Sequence, residues 1–200
     1  IMNIFVLHND PVIAAQMQCD AHVVKMTLES MQMLSTCHRM LDGKLTKRPS
    51  ISGKRMVKYY DLYEGADDLE AEMLYMRAVH FDHPCNKWLR RSEGNYRWMW
   101  EHTKALCNEY TYRYGKTHKN EMPLLWGLQS APRNIPAGGM TPFELAMSDY
   151  PECMFDDPVK SYRAFYQLKQ HHFKKPMVWT KRRKPRWFKY ADIHLSLIHI

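Results

Sequence analysis

A row of polar and ionisable side chains near the start of the chain has the residue types that acid–base chemistry requires. Its members recur at intervals of three, four, three and four residues: His22, Lys25, Glu29, Gln32 and Thr36. This spacing puts them on one face of a helix. An imidazole, an amine, a carboxylate and an amide in one row suit proton transfer or phosphate binding. The row equally suits a solvated or salt-bridged helix face, so both interpretations stay open.

The helix that must carry this row has signals at both ends. Asp10 can accept hydrogen bonds from the free helix amides, and Pro11 suits the first helical position. Gly43, directly after Asp42, is a typical helix stop. The sequence therefore predicts one helix from residue 10 to about Leu41, with apolar side chains on its other faces.

The remaining elements follow from capping boxes, prolines and glycines. Strand-like alternation is too short to predict a sheet, so the expected fold is mainly α: a single compact helical domain with long loops and a basic C-terminal arm. The predicted elements are a basic loop over 43–65 with a short ordered piece at 56–60, a helix from Asp67 to about His80, a helix from Pro84 to near Gly115 with a bend around 92–94, a loop over 116–140, a short helix over 142–148, and a helix from Asp157-Pro158 to Lys175.

Composition and charge indicate what the chain binds. The 200 residues are 45% hydrophobic, which is enough for one core. Twenty-nine Lys and Arg outweigh 21 Asp and Glu, which gives a net charge of +8 and favours a polyanionic partner. The most common partner of this kind is nucleic acid, although ribosomal or membrane-surface binding would give a similar balance.

Other sequence features predict where the chain works. No apolar run approaches the roughly 18 residues of a membrane helix, so no membrane partner is expected. Residues 2–7 are apolar but lack the basic region of a signal peptide. The five cysteines are odd in number and form no Cys-x-x-Cys pair, which favours a reducing compartment. The predicted location is the cytoplasm, that of the host if a phage encodes the chain.

Both ends of the chain look non-native. Ile1 precedes Met2, which we interpret as the natural start. Residues 195–200 look like translated sequencing-adapter sequence, so we expect a gene from environmental DNA and a non-native tail. The predicted organisation is a helical domain over 2–175, a basic aromatic arm over 176–194, and that tail.

The C-terminal arm and the residues just before it interleave cations with aromatic side chains. Cations neutralise phosphates, and aromatic rings can stack on bases or wedge into a duplex. The predicted nucleic-acid contacts are Lys174, Lys175, Trp179, Lys181, Arg182, Arg183, Arg186 and Trp187. In the alternative interpretation the tryptophans pack on the protein core.

Two further groups are ambiguous. Residues 80–85 bring together histidines, an aspartate and Cys85, but without a second pair at zinc-site spacing they favour a helix N-cap, so no metal and no cofactor are predicted. Glu109 and Arg113 lie four residues apart and either pair with each other or face the polar row of the first helix. Cys107 has no identifiable base partner, which favours a buried structural thiol over a nucleophile.

Several stretches resemble the pyrimidine-dimer DNA glycosylases, the broad family of phage endonuclease V. The first is Asp20-x-His22-x-x-Lys25-x-x-x-Glu29-x-x-Gln32, similar to the first helix of that family. The others are His83-Pro84 followed by Trp88, Tyr96 and Cys107-x-Glu109-Tyr110-Thr111, and Asp157-Pro158-x-x-x-Tyr162-Arg163-x-Phe165 with a tail containing Trp179. The resemblance spans most of the chain. The chain resembles uncharacterised marine-phage proteins more closely still.

The resemblance implies a helical DNA-binding protein that acts on a base or its glycosidic bond, with the nucleotide flipped out of the duplex. In such enzymes an N-terminal amine attacks the sugar carbon and a glutamate of the first helix assists. This chain departs from the pattern, because bulky Asn3 follows Met2 and His22 stands where the family usually has arginine. In one branch of that family the catalytic carboxylate stands at the position of Glu29. In the other branch it stands nearer to the position of Asp20.

The leading hypothesis is a base glycosylase or related base-processing enzyme that acts on double-stranded DNA. Glu29 is the candidate acid–base carboxylate, Lys25 the phosphate-binding or imine-forming amine, and His22 and Asp20 the supporting groups. The alternatives are a non-catalytic phage-type nucleic-acid-binding protein and a transferase that acts on hypermodified bases of phage DNA.

Overall fold

The computed structural model describes residues 2–50, 52–62 and 75–192. Within these ranges the chain forms one mainly helical domain, as the sequence predicts. The α-helices are α1 (Pro11–Gln16), α2 (Asp20–Asp42), α3 (Pro84–Leu89), α4 (Glu93–Tyr114), α5 (Glu121–Gly127) and α6 (Pro158–Lys169), and strands β1 (Lys44–Pro49) and β2 (Met56–Asp61) pair as an antiparallel hairpin.

The predicted first helix is two helices. Asp10 caps α1 by accepting from the amides of Val12 and Ile13, as its position predicts. The chain then breaks before α2, because the extended Cys19 donates its amide to the Tyr166 hydroxyl at 2.8 Å instead of continuing the helix. Asp20 consequently lies in the first turn of α2.

The predicted basic loop is a hairpin, which corrects the expectation of a chain without a sheet. Its second strand covers the ordered piece expected at 56–60. Thr46 faces Tyr59 across the hairpin, and Leu45 faces Tyr60, so β-branched and aromatic side chains form cross-strand pairs. The strand-like alternation of side chains is short, so the sequence pattern alone does not reveal the hairpin.

Residues 75–80 are not helical, contrary to the helix expected to reach His80. The Arg39 side chain of α2 binds this segment by donating to the carbonyls of Tyr75 (2.9 Å) and Met76 (2.7 Å). Arg39 therefore anchors this non-helical segment to α2. The start of that predicted helix, at Asp67, lies outside the described residues.

The long helix predicted from Pro84 is also divided, at the point where a bend is expected. The Ser92 hydroxyl accepts from the amide of Asn95 and so begins α4, and Gly115 ends α4 with φ of 67°. The short helix predicted over 142–148 does not form. The Thr141 hydroxyl, its expected cap, accepts instead from the Asn95 side chain at 2.7 Å.

The last two differences concern α5 and α6. α5 lies inside the stretch predicted as a loop. α6 begins as predicted, with the Asp157 carboxylate accepting from the amides of Val159 and Lys160, but ends at Lys169 and is followed by a 3-10 turn rather than by helix to Lys175.

The core lies where α1 and α2 pack against α4. The N-terminal segment from Met2 to Leu7 is threaded into it and is buried throughout. All five cysteines are buried and free, so no disulfide supports the fold. No helix in the described part of the chain combines the length and apolar character needed to cross a bilayer.

Candidate functional site

Glu29 is the best-placed carboxylate of the polar row. One carboxylate oxygen lies 3.3 Å from the backbone nitrogen of Asn3, and the other lies 3.2 Å from Nζ of Lys25. The Glu29 side chain is 13% exposed, whereas that of Lys25 is 55% exposed. An acid therefore lies at a partly open surface, with a fixed amide on one side and a mobile amine on the other.

A second amine lies close to this pair. Burial lowers the pKa of Lys169, at the end of α6; the charge of Lys25 lowers it further, and that of Glu29 opposes the shift. Lys169 of α6 is thus within electrostatic range of both Lys25 and Glu29. Such an arrangement suits an anionic ligand that bridges the two lysines.

The amide that contacts Glu29 is held by an unusual backbone conformation. The buried Asn3 accepts through Oδ1 from the amides of Ile4 (2.8 Å) and Phe5 (3.0 Å). Phe5 has φ of 54°, the left-handed region that bulky residues rarely adopt. Such strain costs about 1–3 kcal/mol and recurs at functional sites. The sequence gives no signal for the role of Asn3.

His22 is enclosed rather than facing an open site. Its Nδ1 lies 2.7 Å from the Tyr166 hydroxyl, Phe5 stacks on its ring at 4.6 Å, and Phe173 meets its edge at 5.3 Å. Burial, followed by the charges of Lys25 and Lys169, lowers its pKa to about 3. His22 is therefore a neutral, enclosed side chain at pH 7, and its role as a supporting group stays a prediction.

Asp20 is likewise occupied by structural contacts. One of its oxygens binds the Arg113 guanidinium at 2.9 Å and the amide of Thr180 at 2.9 Å, and the other accepts from the Thr180 hydroxyl at 2.6 Å. Arg113 has no exposed side-chain surface. These contacts tie Asp20 to α4 and to the C-terminal arm, and its role as a supporting group stays a prediction.

The remaining members of the row lie deeper along α2. Gln32 is half-buried and Thr36 is buried, with the Thr36 hydroxyl bonded to the backbone of Val79. The helical face predicted from spacing therefore contains both buried and solvent-accessible side chains. Only Lys25 and Glu29 combine ionisable chemistry with access to solvent.

The interpretation in which Glu109 pairs with Arg113 is confirmed. The pair forms within α4 at 3.0 Å, and Arg113 also reaches Asp20 of α2. Arg182 completes the network with two bonds to Glu109. This network fastens the C-terminal arm to the end of α4 and to the start of α2.

The aromatic side chains of the arm pack on the protein, which corrects the expectation that they stack on bases. Trp179 is 7% exposed, and its indole nitrogen donates to the carbonyl of Met17 at 2.9 Å. Trp187 packs edge-on against Tyr166 and Phe188. The alternative interpretation of the arm, with tryptophans on the core, is confirmed.

The predicted cations of the arm differ in their availability. Arg182 binds Glu109, and Lys181 donates to the carbonyl of Tyr112 at 3.0 Å. The other predicted phosphate-binding side chains extend into solvent: Lys174, Lys175, Arg183 and Arg186. Lys174 and Lys175 directly follow Phe173, which contacts His22, and therefore lie near the start of α2.

Residues 80–85 form the cap of a helix. His83 Nδ1 accepts from the amide of Cys85 at 3.2 Å, and the Cys85 thiol is buried, with its pKa raised to about 12 by burial. Across the described ranges, no cluster of three or more His, Cys, Asp or Glu side chains is arranged to hold a metal ion.

Comparison of the chain with protein-family models, with curated proteins and with solved structures gives no match. The function is therefore argued from the residues themselves.

Proposed function

We propose that this protein binds nucleic acid and acts on a base or its glycosidic bond, with Glu29 as the acid–base group. The observation that carries the proposal is the setting of Glu29, a largely enclosed carboxylate held between the Asn3 amide and the Lys25 ammonium. A positioned carboxylate can protonate a leaving base or remove a proton from an attacking group.

Lys25 supplies one of two functions beside that carboxylate. As an ammonium it would hold a phosphate next to the scissile bond. As a free amine it would attack the sugar carbon C1′: the C–N bond to the base breaks, and the base leaves with the electron pair and takes a proton from Glu29. The new secondary amine loses a proton to the Glu29 carboxylate, and the C1′–O4′ bond then breaks as O4′ takes that proton, which leaves a protonated imine on the opened sugar. The exposure of Lys25 makes either function sterically accessible.

The surroundings of the pair favour a polyanion. The charge of Lys169 acts on the same site, and the exposed Lys174 and Lys175 follow it along the chain. Binding of phosphates at such a surface releases counterions and weakens as salt concentration rises. His22 and Phe5 act as positioning residues, because their stacked rings fix the first turn of α2 against the N-terminal segment.

The test is turnover on duplexes that carry damaged or modified bases, with and without borohydride, which traps an imine. Glu29→Gln should abolish base release and leave duplex affinity unchanged, while Glu152→Gln, at an exposed acid elsewhere, should change neither. Lys25→Arg should keep activity if Lys25 holds phosphate and lose the trapped adduct if it forms the imine. Absence of base release, strand cleavage and adduct across a broad panel would refute the enzymatic proposal.

A second candidate is a nucleic-acid-binding protein without catalysis. It is favoured by the closed contacts of Asp20 and His22, which remove the two supporting groups from the surface. In that case Glu29→Gln alters no functional property, and the wild-type protein binds duplexes without changing them.

A further inference from the structure

The β1–β2 hairpin carries far more positive than negative charge. Between residues 44 and 61 there are six cations and one acid, Asp61. That acid is already taken, since it accepts from Thr46 and forms an ion pair with Arg48. The cations are Lys44, Lys47, Arg48, Lys54, Arg55 and Lys58.

Two of these lysines face each other across the hairpin. Lys47 lies opposite Lys58 in the register, both are exposed, and neither has a carboxylate partner among the residues that the structure describes. Like charges directly opposite on a sheet are destabilising. Because no carboxylate of the described residues offsets this repulsion, an anion that binds here would relieve it.

A second cationic group lies on the neighbouring face. The guanidiniums of Arg48 and Arg77 both stack on Tyr59, at 4.5 and 4.4 Å from the ring centroid. They line a cleft of about 200 Å³ that Lys58 also borders, together with Asp61, the ion-pair partner of Arg48. Planar guanidiniums held against a ring are pre-organised for phosphate oxygens.

The structure describes contacts that fasten the hairpin at its base. The Arg39 side chain donates to the carbonyl of Tyr60 at 3.0 Å, and the Tyr60 ring contacts Phe81 at 5.3 Å. Beyond this anchor the strands are mostly exposed, so the ribbon presents both of its faces to solvent.

We propose that the β1–β2 hairpin binds duplex DNA as a ribbon inserted into a groove, with Lys47 and Lys58 on one phosphate backbone and Arg48 and Arg77 on the other. A two-stranded ribbon fits the major groove, which is about 12 Å wide. Cations on both faces require a partner that flanks the ribbon on both sides, as two phosphate backbones do. A flat acidic protein surface would engage only one face. This inference rests on the proposed nucleic-acid function.

The experiment measures binding of a fluorescent duplex by anisotropy over a series of salt concentrations. The double variant Lys47→Gln/Lys58→Gln should bind about tenfold more weakly, and its log–log salt slope should be shallower by about 2, because two phosphate contacts are lost. Arg77→Gln should lower the slope by about 1. The matched control Arg97→Gln/Lys160→Gln removes two exposed cations from other helices and should leave affinity and slope unchanged.

The outcomes separate this inference from the function on which it rests. Wild-type protein that binds no duplex refutes both. Wild-type binding with unchanged hairpin variants refutes the hairpin alone. Equal binding of polyglutamate and duplex at matched charge, again lost in the hairpin variants, would indicate an acidic protein partner and refute the DNA inference.

Residues 64–72 carry five acids. If the hairpin cations neutralise these acids, the double variant loses thermal stability and keeps its affinity for the duplex, which also refutes the inference.

Discussion

Two segments of this protein, the hairpin over 44–61 and the C-terminal arm over 174–190, are both rich in cations and aromatic rings, yet the fold uses them differently. In the arm the rings of Trp179 and Phe188 are buried, and Arg182 is held by the buried Glu109. In the hairpin the lysines extend into solvent and Tyr59 carries stacked guanidiniums at the surface. Similar composition gives an anchor in one case and an exposed ribbon in the other.

The difference follows from where each ring finds partners. Rings in the arm meet the aromatic cluster around Tyr166, and burial of that apolar area outweighs the freedom that the arm loses. Among the residues that the structure describes, the hairpin has one such contact, Tyr60 with Phe81, at its base. A charge run therefore indicates a binding surface only when its aromatic residues stay outside the core.

The largest effect should come from the ion network that fastens the arm. Arg113→Met leaves Asp20 without its guanidinium partner and deprives Glu109 of one of two, so we expect the free energy of unfolding to fall by about 3–5 kcal/mol. Urea denaturation measures it. Arg97→Met, which breaks an exposed pair with Glu93, should cost less than about 0.5 kcal/mol. Equal losses in both variants would contradict a structural role for the network.

The tryptophans give the second test. Trp179→Ala removes a buried ring and a hydrogen bond to Met17, and should lower the free energy of unfolding by about 3 kcal/mol. Trp126, 74% exposed, is the matched control, and Trp126→Ala should change stability by less than about 0.5 kcal/mol. A stable Trp179→Ala protein that has lost only duplex affinity would restore the view that the arm stacks on bases.

The acid sensitivity of the enclosed region gives the third test. The pKa of His22 is about 3 in the fold, against an ordinary value of 6.5, because burial disfavours the imidazolium. Below pH 6.5 the unfolded chain binds a proton that the native state does not, so stability falls as pH drops toward 3. His22→Gln should make this fall shallower by about 1.4 kcal/mol per pH unit in urea titrations. The exposed His171→Gln should leave the slope unchanged.

The smallest effect concerns the hairpin and has the opposite sign. Lys58→Gln removes the repulsion from Lys47 and should raise the free energy of unfolding by about 0.2–1 kcal/mol. The gain should vanish at high salt, since exposed charges are screened. Thermal melts at low and high ionic strength measure it. A loss of stability would mean that Lys58 stabilises the fold. The hairpin would then resemble the arm, whose cations also contribute to stability.

The sequence predicts those parts of the fold that depend on neighbouring residues. Asp10 with Pro11, Pro84, Gly115 and Asp157 each mark a helix end that the structure confirms, because caps and stops act within one turn. The predictions fail where a residue distant in sequence forms a hydrogen bond with a residue that the local pattern assigns to a helix. Tyr166 captures the Cys19 amide and splits the first helix, and Asn95 captures Thr141 and abolishes the helix expected after it.

The candidate site shows the same division. The contact between Lys25 and Glu29 spans one helical turn and follows from spacing alone. The enclosure of His22 depends on α6 and on the N-terminal segment, which no pattern near His22 reveals. Asn3 and Lys169, which complete the surroundings of Glu29, come from opposite ends of the chain. The resemblance to base-excising enzymes remains a prediction that the assays above would test.

The five buried cysteine thiols can report how often each part of this protein opens transiently. Thiolate is the reactive form, and burial raises the pKa of the Cys85 and Cys107 thiols to about 12, so a maleimide or disulfide reagent reacts only when a segment opens. Each sulfur lies in a different element or junction, Cys19 before α2 and Cys153 in the 3-10 turn ahead of α6. Reaction rates followed by peptide mass analysis would therefore rank the regions by how often they open, without any added label site.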